Sequence, residues 1–568
     1  MAQSVIYIRR LTKTLNQAYF QSEHLLFEPT TPNHDAIALV FAFPNSYTVG
    51  ITSLGYQVVW ANLARRANIN VSRWFTDAHE NLPRDIEILG FSFSWELDYV
   101  NILAALNQFE IPIDSRDRQD HHPLVFGGGP VLTANPEPFA EWFDLVLLGD
   151  GEELIGNFLE AYQTVRDAGR MEKLRHLAKI QGIYVPQLYH VTYDAPDGAI
   201  AAITPIDSDI PAIVQKQTYK GNILSASTVV TERAAWESIF MVEVVRSCPE
   251  MCRFCLASYL TLPFRSASIE SSLIPAIAEG LTVTNRLGLL GASITQHPEF
   301  DSLLDYLAQP QFDQVRLSLA SVRTNTLTEK LARILSQRDS RSVTVAIESG
   351  SERLRQIINK KLHNDEITQA AINAQSGGLK ALKLYGMAGV PMENDRDIEQ
   401  TIEMLISLKK AAPKLKITFG CSTFVPKSHT PWQWQGVSKT AEKKLQYFRK
   451  QLQSKGIDFR PESYKDSLIQ ALISRGDRRL TKLLRLACTY GDRESPSDGS
   501  YKRAFKELRG ELPPLEWYVH QDWAVDQILP WQHLQIALPL ATLIKHRAMS
   551  FSEIQNHDLL DLSANRSN

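Results

Sequence analysis

Three of the five cysteines in this chain lie within eight residues, in the stretch CPEMCRFC. The spacing C-x3-C-x2-C places the thiols of Cys248, Cys252 and Cys255 on one short loop, and grouped thiolates bind zinc or iron. A structural zinc ion normally needs a fourth ligand nearby, but the next histidine downstream is the distant His297, and there is no second C-x2-C pair. A 4Fe-4S cluster fits better, because three thiolates hold three iron corners and leave the fourth open to a small molecule.

The composition indicates a globular protein in a reducing compartment. The chain has 568 residues, of which 44% are hydrophobic and 22% are charged, enough for roughly three or four domains. Lys and Arg (60) nearly balance Asp and Glu (63), so no overall charge attracts nucleic acid or an anionic membrane. The N-terminus lacks the apolar run of a signal peptide. We expect a cytoplasmic protein without a membrane partner, in which so few cysteines indicate metal binding or catalysis.

The elements that position these thiols are predicted to be α/β. From residue 1 to about 170, strand-like runs such as IALVFAFP and IEILGFSFS alternate with helical segments. This alternation predicts a doubly wound, flavodoxin-like domain with a parallel sheet. Its ligand-binding edge would carry the loops NSYTVG (45–50), SFSW (92–95), GGGP (127–130) and GDGE (149–152). The glycines there would either admit a ligand or form tight turns.

A second alternation follows a short connecting region. Residues 171–235 are predicted to be a small β linker, with a hairpin turning at Pro196-Asp197-Gly198. Residues 236–437 contain six strand-like runs separated by helical segments, which predicts a partial (β/α)6 barrel. The cysteine loop directly follows the first of these strands, so it lies at the carboxyl end of the barrel, where parallel barrels carry their chemistry.

The remaining residues, 438–568, are predicted to form a mostly helical extension. Within DSLIQALISRGDRRLTKLLRLA, four basic residues recur at spacings of three and four, which would place them on one face of a single helix: Arg475, Arg479, Lys482 and Arg485. Such a face is typical of solvent-exposed charge, and the alternative is a patch that contacts RNA.

The sequence VRSCPEMCRFC resembles the C-x3-C-x-aromatic-C signature of the radical S-adenosylmethionine superfamily. The resemblance implies that Cys248, Cys252 and Cys255 ligate a 4Fe-4S cluster and that Phe254 packs near the adenine of S-adenosylmethionine. One electron, delivered by a reductant such as ferredoxin or flavodoxin, would cleave a carbon–sulfur bond of that molecule. The resulting 5'-deoxyadenosyl radical would abstract hydrogen from a substrate, while the protein supplies position and excludes water.

Further barrel segments are similar to the same family. AIESGSERLRQIINKK resembles the segment that contacts the ribose and methionine parts of the cofactor, with Glu348 and Ser349 as candidates; helix capping by Ser349 or Ser351 is the alternative. YGMAGVPMENDRDI resembles the segment near adenine and indicates Gly386 and Gly389, unless these form a plain turn. One departure is LLGASITQHPEF (289–300), which stands where many members carry Gly-Gly-Glu for the amino group.

Two other sets of side chains could face the substrate. In the loop STFVPKSHTPWQW, Lys427 and His429 are candidates, and packing within the loop is the alternative. Cys421, on the sixth strand, could reach the barrel lumen and react with substrate, whereas a buried structural cysteine is the ordinary alternative.

The order of a flavodoxin-like domain before the barrel resembles the cobalamin-binding branch of the superfamily. The fingerprint D-x-H-x-x-G aligns with residues 45–50, where Tyr47 replaces the histidine. If cobalamin binds, we expect it to bind without a histidine ligand, in the loops that contain Tyr47, Ser92, Ser94, Gly127, Gly128 and Gly129. A domain that kept the fold and lost the ligand is the alternative.

The sequence therefore predicts a radical S-adenosylmethionine enzyme that modifies a substrate. Methyl transfer is one candidate reaction, and RNA is one candidate substrate. The alternative is a noncatalytic iron–sulfur electron carrier or sensor, although a carrier would not need the cavity of a barrel.

Overall fold

The computed structural model describes residues 19–491, 496–536 and 538–564. Its strands are β1 His24–Leu25, β2 Ile37–Ala42, β3 Ile69–Trp74, β4 Ile88–Ser92, β5 Leu124–Gly128, β6 Leu145–Leu147, β7 Ile183–Tyr184, β8 Tyr189–Tyr193, β9 Ile200–Pro205, β10 Val214–Gln215, β11 Val229–Val230, β12 Ile239–Glu243, β13 Val245–Arg246, β14 Arg265–Ser266, β15 Arg286–Leu290, β16 Arg316–Leu319, β17 Ser342–Glu348, β18 Ala381–Ala388, β19 Lys416–Thr423, β20 Asp458–Pro461 and β21 Leu534–Gln535.

The α-helices lie between and after these strands. They are α1 Tyr47–Gly50, α2 Leu54–Ala64, α3 Tyr99–Gln108, α4 Pro130–Ala134, α5 Gly151–Thr164, α6 Arg170–Leu177, α7 Leu256–Leu260, α8 Ile274–Gly280, α9 Phe300–Leu307, α10 Glu329–Gln337, α11 Glu352–Ile357, α12 Asn364–Ser376, α13 Asp395–Ala411, α14 Ala441–Gln453, α15 Tyr464–Arg475, α16 Leu480–Tyr490, α17 Asp498–Glu507, α18 Leu515–Val519 and α19 Leu540–Ala564.

The N-terminal sheet has the predicted flavodoxin-like topology. Its strand order is β3-β2-β4-β5-β6-β7, in which the first five strands are parallel and β7 is an antiparallel edge. Its apolar strand residues are buried almost without alternation, because helices cover both faces. The β8–β9 hairpin, whose turn contains Pro196-Asp197-Gly198, follows this domain.

The barrel is open, as predicted. One parallel sheet has the order β12-β15-β16 and the other has the order β17-β18-β19-β20; a parallel bridge between Val322 and Val345 links them. No described pairing joins the edge strands β12 and β20, so the barrel does not close. The strand β20 is a seventh parallel strand that the sequence pattern did not reveal, since it has only four residues.

The prediction of a single basic helix around residue 480 is wrong, because the helix ends before Gly476. Arg475 ends α15, and Gly476 takes an extended conformation before α16 begins at Leu480. The Arg475 guanidinium is fully buried, donates to the Tyr518 carbonyl at 2.8 Å and lies 3.8 Å from the Trp523 ring centroid. Arg475 therefore does not share the solvent-exposed face of α16, on which Lys482 and Arg485 lie. None of the helices in the described parts of the chain is both long and apolar enough to cross a membrane.

Candidate active site

The cysteine loop folds back on itself at the carboxyl end of β12. Ser247 (φ 71°) and Met251 (φ 55°) both adopt the left-handed conformation, which turns the chain sharply twice. The Cys255 amide donates to the Cys252 carbonyl at 2.9 Å, and α7 begins immediately after Cys255. The sequence thus forms a compact loop that keeps three thiols together.

The three thiols are free and largely shielded from solvent. Cys252 is 6% exposed, while Cys248 and Cys255 are half-buried. Burial raises the pKa of Cys252 to about 12, Lys360 acts in the opposite direction, and Cys255, Glu348 and Cys248 raise the pKa further. The Cys252 thiol lies 3.7 Å from the Asn359 carbonyl oxygen, so it faces the segment that carries Lys360.

The three free thiols are suited to holding a 4Fe-4S cluster. Thiols that share a cubane each bind a different iron atom, so they need not converge on one point. The donor set of Cys248, Cys252 and Cys255 therefore suits the cluster expected from the sequence.

The cysteine loop is held by the segment that follows α11. The Asn359 side chain donates to the carbonyls of Glu250 and Met251 at 3.1 and 2.9 Å. The Arg253 amide donates to the Ile358 carbonyl at 3.0 Å. These contacts fix the loop backbone, and a search for local motifs could not find them, since they join positions about a hundred residues apart.

Glu348 lies beside the thiols, at the end of β17. It has a φ of 65° and forms a bulge in the pairing with β18, which redirects its carboxylate. Lys360 donates to this carboxylate at 3.1 Å. Burial opposes the charge on Lys360, but Glu348 and Cys252 outweigh that effect and raise its pKa. Lys360 was not identified from the sequence as a site residue. Its only sequence signal is its position in the INKK segment that follows the ESGS motif.

The Ser349 hydroxyl is used within the protein. Ser349 is buried, and its hydroxyl lies 3.2 Å from the Thr401 hydroxyl and accepts from the Ser351 amide at 3.1 Å. Ser351 caps α11 by accepting from the Leu354 amide. The capping alternative thus holds for Ser351, and a contact of Ser349 with cofactor stays a prediction.

Glycine is required for different structural reasons at Gly386, in the fifth barrel strand β18, and at Gly389, directly after it. Gly386 pairs with Glu348, and a Cβ there would lie 2.9 Å from the Glu348 carbonyl oxygen. Gly389 has a φ of 74° and donates to the Glu393 carboxylate at 2.7 Å. Gly389 therefore forms a turn, whereas Gly386 makes room for the Phe419 ring, which would lie 2.6 Å from a Cβ at this position.

Phe254 and Cys421 both pack into apolar surroundings. Phe254 is half-buried and packs against a small cluster that includes Leu354 and Trp432. In β19, a Cβ on Gly420 would lie 2.9 Å from the Tyr385 ring, and Tyr385 is 54% exposed, so this face is the open lumen. Cys421 points the other way, is 1% exposed and belongs to the apolar layer under the helices. The structural alternative for Cys421 is therefore the one observed.

The two polar candidates after β19 contact the N-terminal domain. Lys427 donates to the Glu96 carboxylate at 2.5 Å. The His429 imidazole lies 3.0 Å from the Ala134 carbonyl oxygen, and burial lowers its pKa to about 3. Both side chains thus hold the domains together, which is the packing alternative.

Tyr47 points into the N-terminal domain. Its hydroxyl donates to Glu23 at 2.6 Å, its ring stacks on Tyr19 at 4.7 Å, and burial followed by Glu23 raises its pKa above the ordinary range. Glu23 also forms an ion pair with Arg73 at 2.7 Å. Tyr47 is therefore committed to the domain core.

The other predicted loops form the carboxyl edge of the N-terminal sheet. Ser92 ends β4 and is half-buried, while Ser94 is exposed. Gly127 and Gly128 end β5, and Gly129 has a φ of 109°. Trp95, next to Ser94, is 48% exposed, although tryptophan is usually well buried.

The fourth loop, GDGE, joins this edge to the barrel. Arg246, two residues before Cys248, contacts Asp150 at 3.2 Å, Glu152 at 2.6 Å and Glu243 at 2.6 Å. We call these four side chains the interdomain network. The network fixes the N-terminal sheet edge against the strand that leads into the cysteine loop.

Two family models match the chain. A model described as "Radical SAM proteins, N-terminal" matches residues 55–186. A model described as "Radical SAM superfamily" matches residues 242–405, which include the cysteine loop, β17 and β18.

Three relatives align over part or most of the chain. An uncharacterized protein of Methanocaldococcus jannaschii is 27% identical over 446 residues, which cover 78% of this chain and 89% of that protein. An uncharacterized methyltransferase of Pyrococcus horikoshii is 24% identical over 52% of this chain and 59% of its own length. A tRNA-2-methylthio-N(6)-dimethylallyladenosine synthase of Prosthecochloris aestuarii is 23% identical over 39% of this chain and 54% of its own length.

Solved structures with low sequence identity are also similar. The radical S-adenosylmethionine methyltransferase TsrM from Kitasatospora setae, solved with cobalamin and a [4Fe-4S] cluster, has a TM-score of 0.47 and 12% identity, covering 68% of this chain and 72% of that chain. The cobalamin-dependent S-adenosylmethionine radical enzyme OxsB has a TM-score of 0.47 and 10% identity, covering 94% of this chain and 80% of that chain.

The family models confirm the resemblance expected from the cysteine motif. The matched ranges include most of the N-terminal domain and most of the barrel, with the three cysteines where the motif requires them. The superfamily match supports an enzyme and not the alternative of a noncatalytic carrier or sensor. The chain belongs to the radical S-adenosylmethionine superfamily.

Proposed function

We propose that this enzyme binds a 4Fe-4S cluster through Cys248, Cys252 and Cys255 and cleaves S-adenosylmethionine reductively beside it. The observation that carries the proposal is the position of Glu348 and Lys360. They form a polar pair at 3.1 Å between the end of the fourth barrel strand and the segment after α11, and the Cys252 thiol lies 3.7 Å from the carbonyl of Asn359 in that segment. S-adenosylmethionine carries an ammonium, a carboxylate and ribose hydroxyls, and such a pair can bind groups of this kind.

Each protein residue has a defined task in this proposal. When bound, the cluster supplies one electron, received from a ferredoxin or flavodoxin, to the sulfonium of S-adenosylmethionine. Glu348 accepts hydrogen bonds from the ammonium or ribose hydroxyls, and Lys360 balances its charge. Phe254 lies against the adenine, and Gly386 would contact this ligand only through its backbone, because its Cβ position faces the Phe419 ring. Ser349 and Gly389 support these positions through the turns they form.

We propose that the N-terminal sheet edge binds cobalamin without a histidine ligand. Support comes from the open surface at Ser94 and Trp95, which offers a hydroxyl and a flat apolar ring, and from the partly exposed backbone at Gly128 and Gly129. Gly127 lies beside them but is buried against Leu132 and Phe143. Ser92 lies at the same edge. Tyr47 would support this edge from inside the domain, since its hydroxyl is bound to Glu23 and its amide donates to Asp77. Among the described residues of these loops, no histidine is available as an axial ligand.

We propose methyl transfer as the reaction. Two relatives are named as a methyltransferase and as a methylthio-forming tRNA synthase, and the second name makes RNA a candidate substrate. The expected basic face does not add support for RNA, because Arg475 is buried and Arg479 pairs with Asp477.

The test begins with anaerobic reconstitution of iron and sulfide, followed by reductant and S-adenosylmethionine. We expect 5'-deoxyadenosine from the native protein and from Cys488→Ala, a control whose thiol lies on α16, and none from Cys252→Ala. Absence of product in the native protein despite an intact cluster would contradict the proposal.

A second experiment tests the cobalamin site. The protein is incubated with cobalamin and reduced to the Co(II) state, and the spectrum is measured by electron paramagnetic resonance. Bound cobalamin without nitrogen splitting from an axial ligand is the expected result. Nitrogen splitting, or no retained cobalt, would contradict this part of the proposal.

A further inference from the structure

Arg253, which lies between two of the cysteines, directs its side chain away from them and toward the C-terminal helix. The residue is only 3% exposed. A buried guanidinium needs several acceptors to offset the loss of its hydration. The identity of those acceptors therefore shows which parts of the chain the cysteine loop depends on.

The first acceptors lie at the end of α11. One guanidinium nitrogen, Nη1, donates to the carbonyls of Gln356 and Ile357 at 3.1 and 2.5 Å. Carbonyl groups at the end of a helix lack intrahelical partners and favour a cation. Arg253 thus ties the cysteine loop to the segment that also carries Lys360.

The second set of acceptors lies on α19, about three hundred residues further along the chain. Nε donates to the His546 carbonyl at 2.9 Å. Nη1 and Nη2 donate to the two oxygens of Glu553 at 2.8 and 3.1 Å. This is the paired geometry in which an arginine–carboxylate bond is strongest and most directional.

A second residue of the same segment contacts the same helix. The Tyr259 hydroxyl lies 3.2 Å from Nδ1 of His546 and donates to the Met251 carbonyl, also at 3.2 Å. Arg253 and Tyr259 stand on either side of Cys255, so α19 holds the loop both before and after its last cysteine.

We propose that α19 is a clamp on the cysteine loop and that Arg253 and Tyr259 are positioning residues for the cluster. The inference rests on the proposed cluster site and extends it to the C-terminal helix. Neither side chain would touch the cluster. They act by keeping the backbone of Cys252 and Cys255 in the conformation that three iron corners require.

The test compares Glu553→Gln and Arg253→Lys with the control Asp498→Asn. Glu553→Gln removes the charge from the paired contact, and Arg253→Lys keeps the positive charge but loses the planar fork. The control breaks an exposed ion pair with Lys502, elsewhere in the C-terminal extension. Hydrogen exchange of peptides covering residues 248–260 is measured first on cluster-free protein.

We expect about tenfold faster exchange of this peptide in both clamp variants and no change in the control, since hydrogen bonds to charged groups contribute on this scale. After reconstitution, the clamp variants should release iron to a chelator about tenfold faster and show a larger electron paramagnetic resonance signal from clusters that have lost one iron. Unchanged loop exchange, or faster exchange spread equally over the barrel strands, would overturn the clamp.

The same design separates this inference from the proposed function. If no protein, including the native one, assembles a cluster, the proposed cluster site fails. The exchange of the cluster-free loop still decides whether α19 holds it. If clusters assemble and all variants release iron at the native rate, the clamp fails while the cluster site stands.

Discussion

Replacing Gly129 by alanine should destabilise the N-terminal domain, whereas the same change at the adjacent Gly128 should not. Gly129 has a φ of 109°, which an L-residue rarely adopts. A Cβ there would also lie 2.5 Å from the Phe93 carbonyl oxygen. That oxygen cannot retreat freely, because the Phe93 amide is bonded to the Gly128 carbonyl at 2.8 Å.

The two effects give the expected size of the loss. Backbone strain costs about 1–3 kcal/mol and steric overpacking costs about 1–3 kcal/mol, so the free energy of unfolding should fall by about 2–6 kcal/mol. For a domain of this size, the transition would move down by about 4–24 °C. At Gly128 the nearest atoms, both of Leu147, lie 3.7 and 3.8 Å from the added Cβ, which is ordinary contact.

Differential scanning calorimetry of the three proteins measures this difference, and cobalamin titration adds a second readout. An unchanged transition for Gly129→Ala, or equal losses in both variants, would refute the assignment of Gly129 to a required backbone conformation. If Gly128→Ala keeps its transition but binds cobalamin more weakly, the glycine serves ligand approach. If it binds cobalamin normally, the glycine is not needed for the ligand.

Three further predictions follow from buried groups. Burial lowers the pKa of Lys216 from 10.5 to about 8. Between these pH values the folded protein therefore holds fewer protons than the unfolded chain, and its free energy of unfolding should rise by about 3 kcal/mol as the pH increases. Urea titrations at the two pH values should show this rise in the native protein and no rise in Lys216→Met. Arg246→Met removes the cation that the carboxylates of the interdomain network share and should lower the free energy of unfolding by about 3 kcal/mol. Calorimetry measures this loss beside the exposed control Lys502→Met, and a loss no larger than that of the control would contradict the role of the network. Cys421→Ala should lower the transition temperature slightly through lost packing and should not change 5'-deoxyadenosine formation. Loss of product from a stable variant would instead indicate that this thiol acts in the lumen.

The sequence predicts the fold well because its signals are local. Apolar runs such as IALVFAFP mark buried parallel strands, and the cysteine motif marks the loop after the first barrel strand. The sequence predicts the contacts of the site poorly, because they join distant segments. The pairing of Lys360 with Glu348 depends on the bulge at the end of β17, and no spacing rule reveals Asn359 beneath Met251.

The errors have the same origin. A spacing of three and four residues placed Arg475 and Arg479 on one helix, but Gly476 ends that helix, and Asp477 accepts from the Arg479 amide at 2.9 Å to begin the next one. Tyr47 aligned with a cobalt ligand by position, but its direction is set by Glu23, which reaches it from outside the motif. In both cases a partner that the local pattern does not contain decides where the side chain points.

The cysteine loop is held by both the N-terminal domain and the C-terminal helix. The N-terminal domain contributes Asp150 and Glu152 to the interdomain network, and the C-terminal helix binds Arg253 through Glu553. Arg246 lies two residues before Cys248, and Arg253 lies between Cys252 and Cys255, so both ends of the cysteine loop are anchored to elements outside the barrel. A shift in the docking of either domain therefore reaches the thiols through at most two residues of chain. The placement of the cysteine loop is thus a property of the whole protein, and the barrel alone does not define it.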